Sequence, residues 1–292
     1  MNRREFLRRS AAAGAATAAV MAGAGRLAAA APRQAPLAMP TIRLGSLKVS
    51  RLIMGSNPFF GYAHVSADRV SEMDQYYTKE RVMATLDEAA ANGITAVWMP
   101  GDPKMVALWQ EYRQKKGKLP IWIGQNHQGP EKMKENITEA AKNGAQAIGI
   151  QGVQTDLQVS GGHWDVIAAW VDHVHSLGLP AGIATHSPQT HLEAQKRKIP
   201  LGFHCQCLYV PDTLREEDRA KALETIRQLE KPVIAYKVLA AGRVPAKEAL
   251  EFVLPRLNAK DGLCVGVYTK EDTDQIRENA TYVEILSKQG RT

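Results

Sequence analysis

The chain has 292 residues, of which 45% are hydrophobic and 23% are charged, a composition typical of a globular protein that can bury a large core. Its net charge is +7, but five Arg and one Glu stand in the first 31 residues, so the rest carries only +3. A nucleic-acid-binding protein with a concentrated basic face is therefore disfavoured. Three Cys cannot form a disulfide framework, and the chain beyond the first segment has no apolar run long enough to span a membrane.

The first segment has the pattern of an export signal. Residues 2–8 read N-R-R-E-F-L-R, residues 11–24 form a weakly apolar Ala-rich stretch, and residues 28–30 are all Ala. The pair Arg3-Arg4 followed by Phe and Leu closely resembles the twin-arginine consensus. We therefore predict a twin-arginine signal peptide over residues 1–31, the Tat export machinery as a partner, and a periplasmic or otherwise exported protein.

After a linker over residues 32–40, short β-branched runs alternate with amphipathic helical patterns. A small hairpin is predicted first, over residues 41–49 with its turn at Gly45-Ser46. Eight strands are then predicted at 51–55, 94–99, 120–125, 147–151, 180–185, 201–208, 232–237 and 262–268. The helices between and after them are predicted at 79–92, 104–116, 130–143, 164–177, 188–198, 214–229, 245–257 and 270–287. This alternation predicts one α/β domain over residues 41–292, a (βα)8 TIM barrel, with a doubly wound open sheet as the alternative.

One predicted connection is abnormally long. About 21 residues, 57–77, separate the first strand from the first helix, and many of them are aromatic. Structureless loops of that length in a compact domain are usually functional. Because this loop leaves the carboxyl end of a barrel strand, we expect it to cover a site.

Polar side chains at the carboxyl ends of the predicted strands are the candidates for chemistry. They are rich in His and amides, and Asp102 is the one carboxylate directly at a strand end, which disfavours a two-carboxylate glycosidase. Asp68 or Asp156 could still reach the site. The predicted substrate-binding residues are Asn57, Asp102, His127, Gln151, His204, Gln206 and Tyr236.

Three further residues are predicted to be catalytic. Lys237 ends an apolar strand, and a buried Lys requires a partner, so it is expected to hold an anionic or carbonyl oxygen or to attack a carbonyl group as an amine. His186 stands at the barrel mouth, where packing alone rarely demands an imidazole, and is expected to act as an acid or base. His64 lies in the long loop. The alternatives are a Lys237 that reaches outward to water and histidines satisfied within the fold.

The histidines leave a metal site open. His186, His204 and His127 could bind a divalent metal, although no compact ligand motif is present. Strand parity places the side chains of His204 and Gln206 on one face, which we expect to be the barrel interior. The Cys residues on either side of Gln206 are then expected to face the helices.

Several segments resemble the aldo/keto reductases over nearly the whole chain after the linker. The resemblance lies in residues 44–55 (L-G-S-L-K-V-S-R-L-I-M-G), 90–94, 182–187, 206–211, 235–239 and 276–279. It implies a TIM barrel and NADPH-dependent carbonyl reduction by an Asp, Tyr, Lys, His tetrad. In the implied register, the tetrad positions hold Trp98, Pro103, Gln125 and Gly152, so the tetrad is not expected here. Gln206 and Tyr236 match the family's amide contact and stacking ring for the nicotinamide.

The chain is more similar to a group of bacterial barrels related to those reductases. The shared pieces are residues 55–58 with His64 downstream, 179–186, 237–242 and 264–268. This second resemblance implies a mouth that carries His64, His186 and Lys237 in place of the tetrad.

The leading functional prediction is an exported barrel enzyme that performs acid/base chemistry on a small sugar-like or carbonyl compound. Isomerisation, epimerisation and elimination fit one base and one cation better than hydrolysis does. Two alternatives stay open: an NADP-dependent oxidoreductase with a divergent active site, and a ligand-binding barrel without catalysis. The expected partner is a small-molecule substrate, the identity of which the sequence does not indicate.

Overall fold

The computed structural model describes residues 37–210 and 213–289. The predicted signal peptide and residues 32–36 of the predicted linker lie outside the described residues. Among the residues described, no helix is both long enough and apolar enough to cross a membrane.

Eight parallel strands close into a barrel, which confirms the predicted TIM barrel. An antiparallel hairpin, β1 (Thr41–Leu44) and β2 (Leu47–Ser50), precedes it and is also confirmed. The strands follow one another around the barrel in chain order, and the last pairs with the first. They are β3 (Leu52–Gly55), β4 (Ala96–Pro100), β5 (Ile121–Asn126), β6 (Ala145–Ile150), β7 (Ala181–Thr185), β8 (Phe203–Cys207), β9 (Val233–Tyr236) and β10 (Gly262–Gly266).

Ten α-helices are found in the described residues, two more than the sequence patterns predict. They are α1 (Ala67–Tyr76), α2 (Lys79–Ala91), α3 (Pro103–Gln114), α4 (Pro130–Lys142), α5 (Gly152–Ser160), α6 (Trp164–Ser176), α7 (Pro188–Lys196), α8 (Glu216–Gln228), α9 (Ala246–Val253) and α10 (Gln275–Gln289). The additional helices are α1 and α5. Helix α1 lies inside the long first loop, which was expected to be structureless, and the side chain of Ser66 caps it by accepting the Arg69 N–H. Helix α5 follows β6 directly.

The hairpin closes the amino end of the barrel. Its side chains Ile42, Leu44 and Val49 are almost fully buried and pack into the barrel interior beside Phe203 of β8. Gly182 is required beside that ring, because a Cβ there would lie 2.3 Å from the ring of Phe203. One end of the barrel is therefore plugged by apolar side chains, and the carboxyl end is left open for a site.

The predicted orientation of β8 is wrong. Phe203 and Cys205 belong to the apolar interior of the barrel, whereas His204 contacts His191 on the surrounding helix α7. Gln206 has the same parity as His204 and also faces outward. The apolar plug decides this register, because Phe203 fills the barrel bottom, where an imidazole would have no partner.

His204 and His191 form a buried pair between the barrel wall and the helices. Their Nδ1 atoms are 3.0 Å apart, and Nε2 of His191 is 3.2 Å from the carbonyl oxygen of Cys205. Burial lowers the pKa of His204 to about 4, and Lys260 and Lys231 add to the effect. Burial also lowers the pKa of His191 well below its usual value, with His204 as the second cause. Both imidazoles are therefore neutral near pH 7.

This pair predicts a loss of stability in mild acid. Because folding lowers the pKa of His204, protons favour the unfolded chain; the stabilisation is complete above the usual pKa of 6.5 and is lost as the pH falls towards 4. Between pH 7 and pH 5, His204 alone should cost roughly 2 kcal/mol of unfolding free energy. Urea unfolding at both pH values measures this loss. We expect His204→Asn to reduce the acid-dependent loss and His163→Gln, at an exposed histidine, to leave it unchanged; an equal loss in His204→Asn would contradict the assignment.

Candidate active site

The open end of the barrel holds a cavity with a volume of about 1120 Å³. Its walls come from the ends of the barrel strands and from the loops that follow them, as expected for this fold. Trp98 of β4 contributes an aromatic surface to the lining. Seven residues that were predicted as site residues line it: Asn57, His64, His127, Gln151, His186, Tyr236 and Lys237.

Three side chains form a connected chain of polar contacts at this cavity. Nδ1 of His186 is 2.8 Å from Oδ2 of Asp156, and Nε2 of His186 is 3.1 Å from Nζ of Lys237. A carboxylate only accepts hydrogen bonds, so Nδ1 carries the proton and Nε2 presents its lone pair to the amine of Lys237. The imidazole is thus fixed in one tautomer, with its basic nitrogen facing a cation.

Asp156 holds more than the imidazole ring. Its carboxylate also accepts the backbone N–H of His186 at 3.2 Å and the hydroxyl of Thr185. The side chain of Asp156 is about 30% exposed. These contacts make Asp156 a positioning residue for His186, a role that is typical of carboxylates behind catalytic histidines.

Because the sequence patterns do not predict α5, they identify Asp156 only as a residue that could reach the site. The helix begins at Gly152, directly after β6, and its first turns bring Asp156 over the barrel mouth. Gly152 allows this close approach: a Cβ there would lie 3.1 Å from both Cε1 of His186 and the hydroxyl of Tyr236. The only sequence signal was a carboxylate one helical turn after a Gly at a strand end.

Lys237 stands where the backbone leaves β9. Its φ is +55°, a left-handed conformation that costs a residue with a side chain roughly 1–2 kcal/mol. This turn ends the strand and directs the amine to His186 rather than outward between the helices, the alternative left open above. Strain of this kind persists where the surrounding structure enforces it, and it is frequent at functional sites.

Tyr236, the last residue of β9, contacts the same cluster. Its hydroxyl donates to the carbonyl oxygen of Thr185 at 3.1 Å, and its ring centroid lies 6.4 Å from that of His186 in an edge-to-face arrangement. Burial raises the pKa of Tyr236 well above its usual value. The hydroxyl therefore keeps its proton and acts as a hydrogen-bond donor.

Three predicted substrate-binding residues do not line the cavity. Asp102 caps helix α3, where its carboxylate accepts the backbone N–H of Met105 at 3.1 Å. His204 pairs with His191 behind the barrel wall. Gln206 is fully buried, and its amide donates to the carbonyl oxygen of Cys207 at 2.6 Å. The first is a helix cap, and the other two face outward because of the β8 register.

The same placements separate the three histidines proposed as metal ligands. His186 contacts Asp156 and Lys237, His127 lines the cavity at the end of β5, and His204 lies outside the barrel. Within residues 37–210 and 213–289, no group of three His, Cys, Asp or Glu side chains is arranged to hold a metal ion.

Of the two residues that the reductase resemblance matches to nicotinamide contacts, Tyr236 lines the cavity and Gln206 does not. Gln206 cannot contact a nicotinamide in the cavity, because its side chain lies on the far side of β8. In the loop after β10, Nζ of Lys270 is 2.5 Å from Glu72, and Arg69 is paired with Glu271. Lys270 in this loop and Arg69 on α1 are therefore each engaged by a carboxylate.

The segment between β3 and α2, residues 57–77, is fastened across the cavity mouth, and we call it the lid. The hydroxyl of Tyr77 donates to the carbonyl oxygen of Val267 at 2.8 Å. Arg69 pairs with Glu72 at 2.6 Å and with Glu271, which joins α1 to the loop after β10. On the other side, Arg243 donates to the carbonyl oxygen of His64, whose exposed side chain belongs to the cavity lining.

Comparison with solved structures supports the fold. Two structures of a provisionally assigned aldo-keto reductase from Pseudomonas aeruginosa match with TM-scores of 0.62 and 0.60, each at 13% identity over 88% of this chain and 98% of that one. An N-acetylmannosamine-6-phosphate 2-epimerase from Clostridium perfringens matches with a TM-score of 0.51 at 15% identity, over 88% of this chain and 99% of that one. No family model and no curated protein matches the sequence. At these identities, the likeness establishes a shared barrel, and the chemistry must be argued from the residues.

Removal of the ion pairs of the lid is predicted to increase its mobility. Lys270 and Arg69 lower the pKa of Glu72 to about 2, so the pairs persist at neutral pH and are lost only as the pH falls towards that value. Glu72→Gln should speed hydrogen exchange in residues 57–77 at pH 7 by about two- to fivefold, the factor expected for an exposed ion pair. Exchange followed by mass spectrometry measures it. Glu251→Gln, which removes an exposed pair on α9, is the control, and equal lid exchange in both variants would show that the pairs do not hold the lid.

Proposed function

We propose that this protein is a barrel enzyme of isomerase, epimerase or lyase type that removes a proton next to the carbonyl group of a small carbonyl or sugar-like compound. The observation that carries the proposal is the contact chain from Asp156 through His186 to Lys237 at the cavity. It combines an imidazole whose Nδ1 is held by a carboxylate with an amine next to its Nε2. These are the two groups that enolate formation requires.

Substrate binding is proposed to separate the amine from the imidazole. The carbonyl oxygen of the substrate takes a hydrogen bond from the ammonium group of Lys237, and the carbon next to the carbonyl then lies against Nε2 of His186. Nε2 accepts the proton from that carbon, and the electron pair of the broken C–H bond forms the C=C bond of an enolate. The negative charge moves to the oxygen, where Lys237 stabilises it, while Asp156 stabilises the imidazolium.

The fate of the enolate decides the class of reaction. In an α-hydroxy carbonyl compound, delivery of the proton to the former carbonyl carbon, while the proton of the neighbouring hydroxyl group moves to the former carbonyl oxygen, isomerises the substrate. Return of the proton to the opposite face of the original carbon epimerises it, and loss of a leaving group from the next carbon is an elimination. His64 on the lid and His127 at the end of β5 line the same cavity as His186 and supply two further acid/base groups. Asn57 and Gln151, also in the lining, offer amides for substrate hydroxyl groups.

Proton exchange tests this function without knowledge of the physiological substrate. The purified protein should speed exchange of the C1 protons of hydroxyacetone or dihydroxyacetone with D2O, followed by proton NMR. His186→Gln and Lys237→Met should each lower this rate by roughly 10²- to 10⁴-fold, because each removes a group that acts in the transition state. His163→Gln and Lys247→Met, at exposed positions away from the cavity lining, are the matched controls.

Two results would replace the proposal with one of its alternatives. Turnover of a carbonyl compound only in the presence of NADPH would identify an oxidoreductase. Binding of the ketones by the folded wild-type protein, without any exchange above the buffer rate, would identify a ligand-binding barrel.

We also propose that the protein is exported through the twin-arginine pathway, on the strength of residues 1–31. In a bacterial host, the wild-type chain should appear in the periplasm in a shortened form. Replacement of Arg3 and Arg4 together by Lys should leave the full-length chain in the cytoplasm, since the pathway reads this pair. Cell fractionation with N-terminal sequencing measures both outcomes, and an unprocessed cytoplasmic wild-type protein would refute export.

A further inference from the structure

The cavity lining includes exposed apolar side chains. Among the described residues, four large apolar side chains are conspicuously exposed: Tyr62 at 48%, Val153 at 49%, Leu157 at 55% and Leu177 at 36%. Tyr62 and Val153 also line the cavity. Leu157 follows Val153 by one helical turn on α5, so their side chains lie on the same face of the helix. We call Tyr62, Val153 and Leu157 the apolar rim.

Helix α5 carries two residues of the apolar rim together with Asp156, the positioning residue of the proposed base. Asp156, which holds His186, lies between Val153 and Leu157 on α5. The helix therefore fixes Val153 and Leu157 relative to Asp156, which holds the imidazole of His186. Binding sites are more precise when rigid elements carry them. Tyr62 approaches from the lid.

The cavity is larger than a small ketone requires. Its volume of about 1120 Å³ lies above the range of roughly 300–1,000 Å³ that is usual for drug-sized ligands. Its lining combines polar side chains, among them His186 and Lys237, with Tyr62 and Val153 of the apolar rim. Arg69, a cation of the lining, is paired with Glu72 and Glu271, so an anionic tail would find a carboxylate beside the guanidinium.

We infer that the substrate is an uncharged carbonyl compound with an apolar aryl or alkyl tail, which lies across Tyr62, Val153 and Leu157 while its carbonyl group meets Lys237. This inference rests on the proposed function for the position of the carbonyl group. Tyr62 and Val153 belong both to the cavity wall and to the apolar rim. Because the rim is continuous with the cavity, we expect it to bind part of the substrate rather than a second copy of the protein. Three side chains are also far short of the roughly 1,200 Å² that a specific protein interface buries.

Two ketones with the same reacting group test the inference. Hydroxyacetone has no tail, and 1-hydroxy-4-phenyl-2-butanone adds a phenylmethyl group to it. The kcat/KM for C1 proton exchange should be about tenfold or more higher for the phenyl compound, since the rim removes an aromatic ring from water. In the double variant Val153→Asn, Leu157→Asn, the ratio of the two values should fall to about 1. Leu177→Asn, at the exposed apolar residue that follows α6, is the control and should keep the wild-type ratio.

A reduced probe separates this inference from the proposed function. The diol 4-phenyl-1,2-butanediol has the tail but no carbonyl group, and its binding is measured by tryptophan fluorescence or calorimetry. Binding by the wild-type protein and by Lys237→Met, with at least tenfold weaker binding by the rim variant, supports the rim even if neither ketone exchanges protons. Equal kcat/KM values for the two ketones in the wild-type protein would show that the apolar rim does not bind the substrate tail. The proposed exchange chemistry would be unaffected by that result. A change of oligomeric state in the rim variant, detected by analytical ultracentrifugation, would also contradict the inference, because the apolar rim would then be an interface between copies of the protein.

Discussion

The contact between the carboxylate of Asp156 and the imidazole of His186 is the constraint on which the candidate site depends. It fixes the tautomer of the imidazole, turns Nε2 towards Lys237 and ties α5 to the end of β7. Without this contact, the imidazole could rotate or change tautomer. The nitrogen that faces the amine of Lys237 could then be either a hydrogen-bond donor or an acceptor. The left-handed backbone at Lys237 and the absence of a side chain at Gly152 both allow the end of β9, the start of α5 and the end of β7 to come close together.

The barrel supplies the rigidity that this contact needs. Its amino end is filled by the hairpin and by Phe203, so the interior below the site consists of buried apolar side chains. That packing decides which face of each strand points inward, and with it which polar residues reach the cavity. The buried pair of His191 and His204 is a consequence: two neutral imidazoles satisfy each other in the layer between strands and helices, where chemistry on a substrate is impossible.

The fold likeness does not decide the chemistry of this protein. The solved structures that share the barrel include a provisionally assigned reductase and an epimerase, and one barrel can support either reaction. The positions that the resemblance assigns to the reductase tetrad hold Trp98, Gln125 and Gly152 in the cavity lining and Pro103 at the start of α3. The side chains of Asp156 and Lys237 contact His186. The distribution of charge and of apolar surface around this cavity therefore carries more information about the reaction than the fold does.

The sequence by itself determined the barrel, its strand order and seven of the residues that line the cavity. Period-2 and period-3.6 patterns with Gly and Pro at the boundaries are local signals, and the carboxyl ends of barrel strands meet at one face whatever the details. Only the tertiary structure decided that Asp156 reaches His186, that Lys237 turns inward, and that His204 and Gln206 turn away. Those outcomes depend on a short helix with weak local signals and on a register set by distant apolar side chains. Strand parity alone cannot say which of two faces points inward, because the packing of the whole barrel makes that choice.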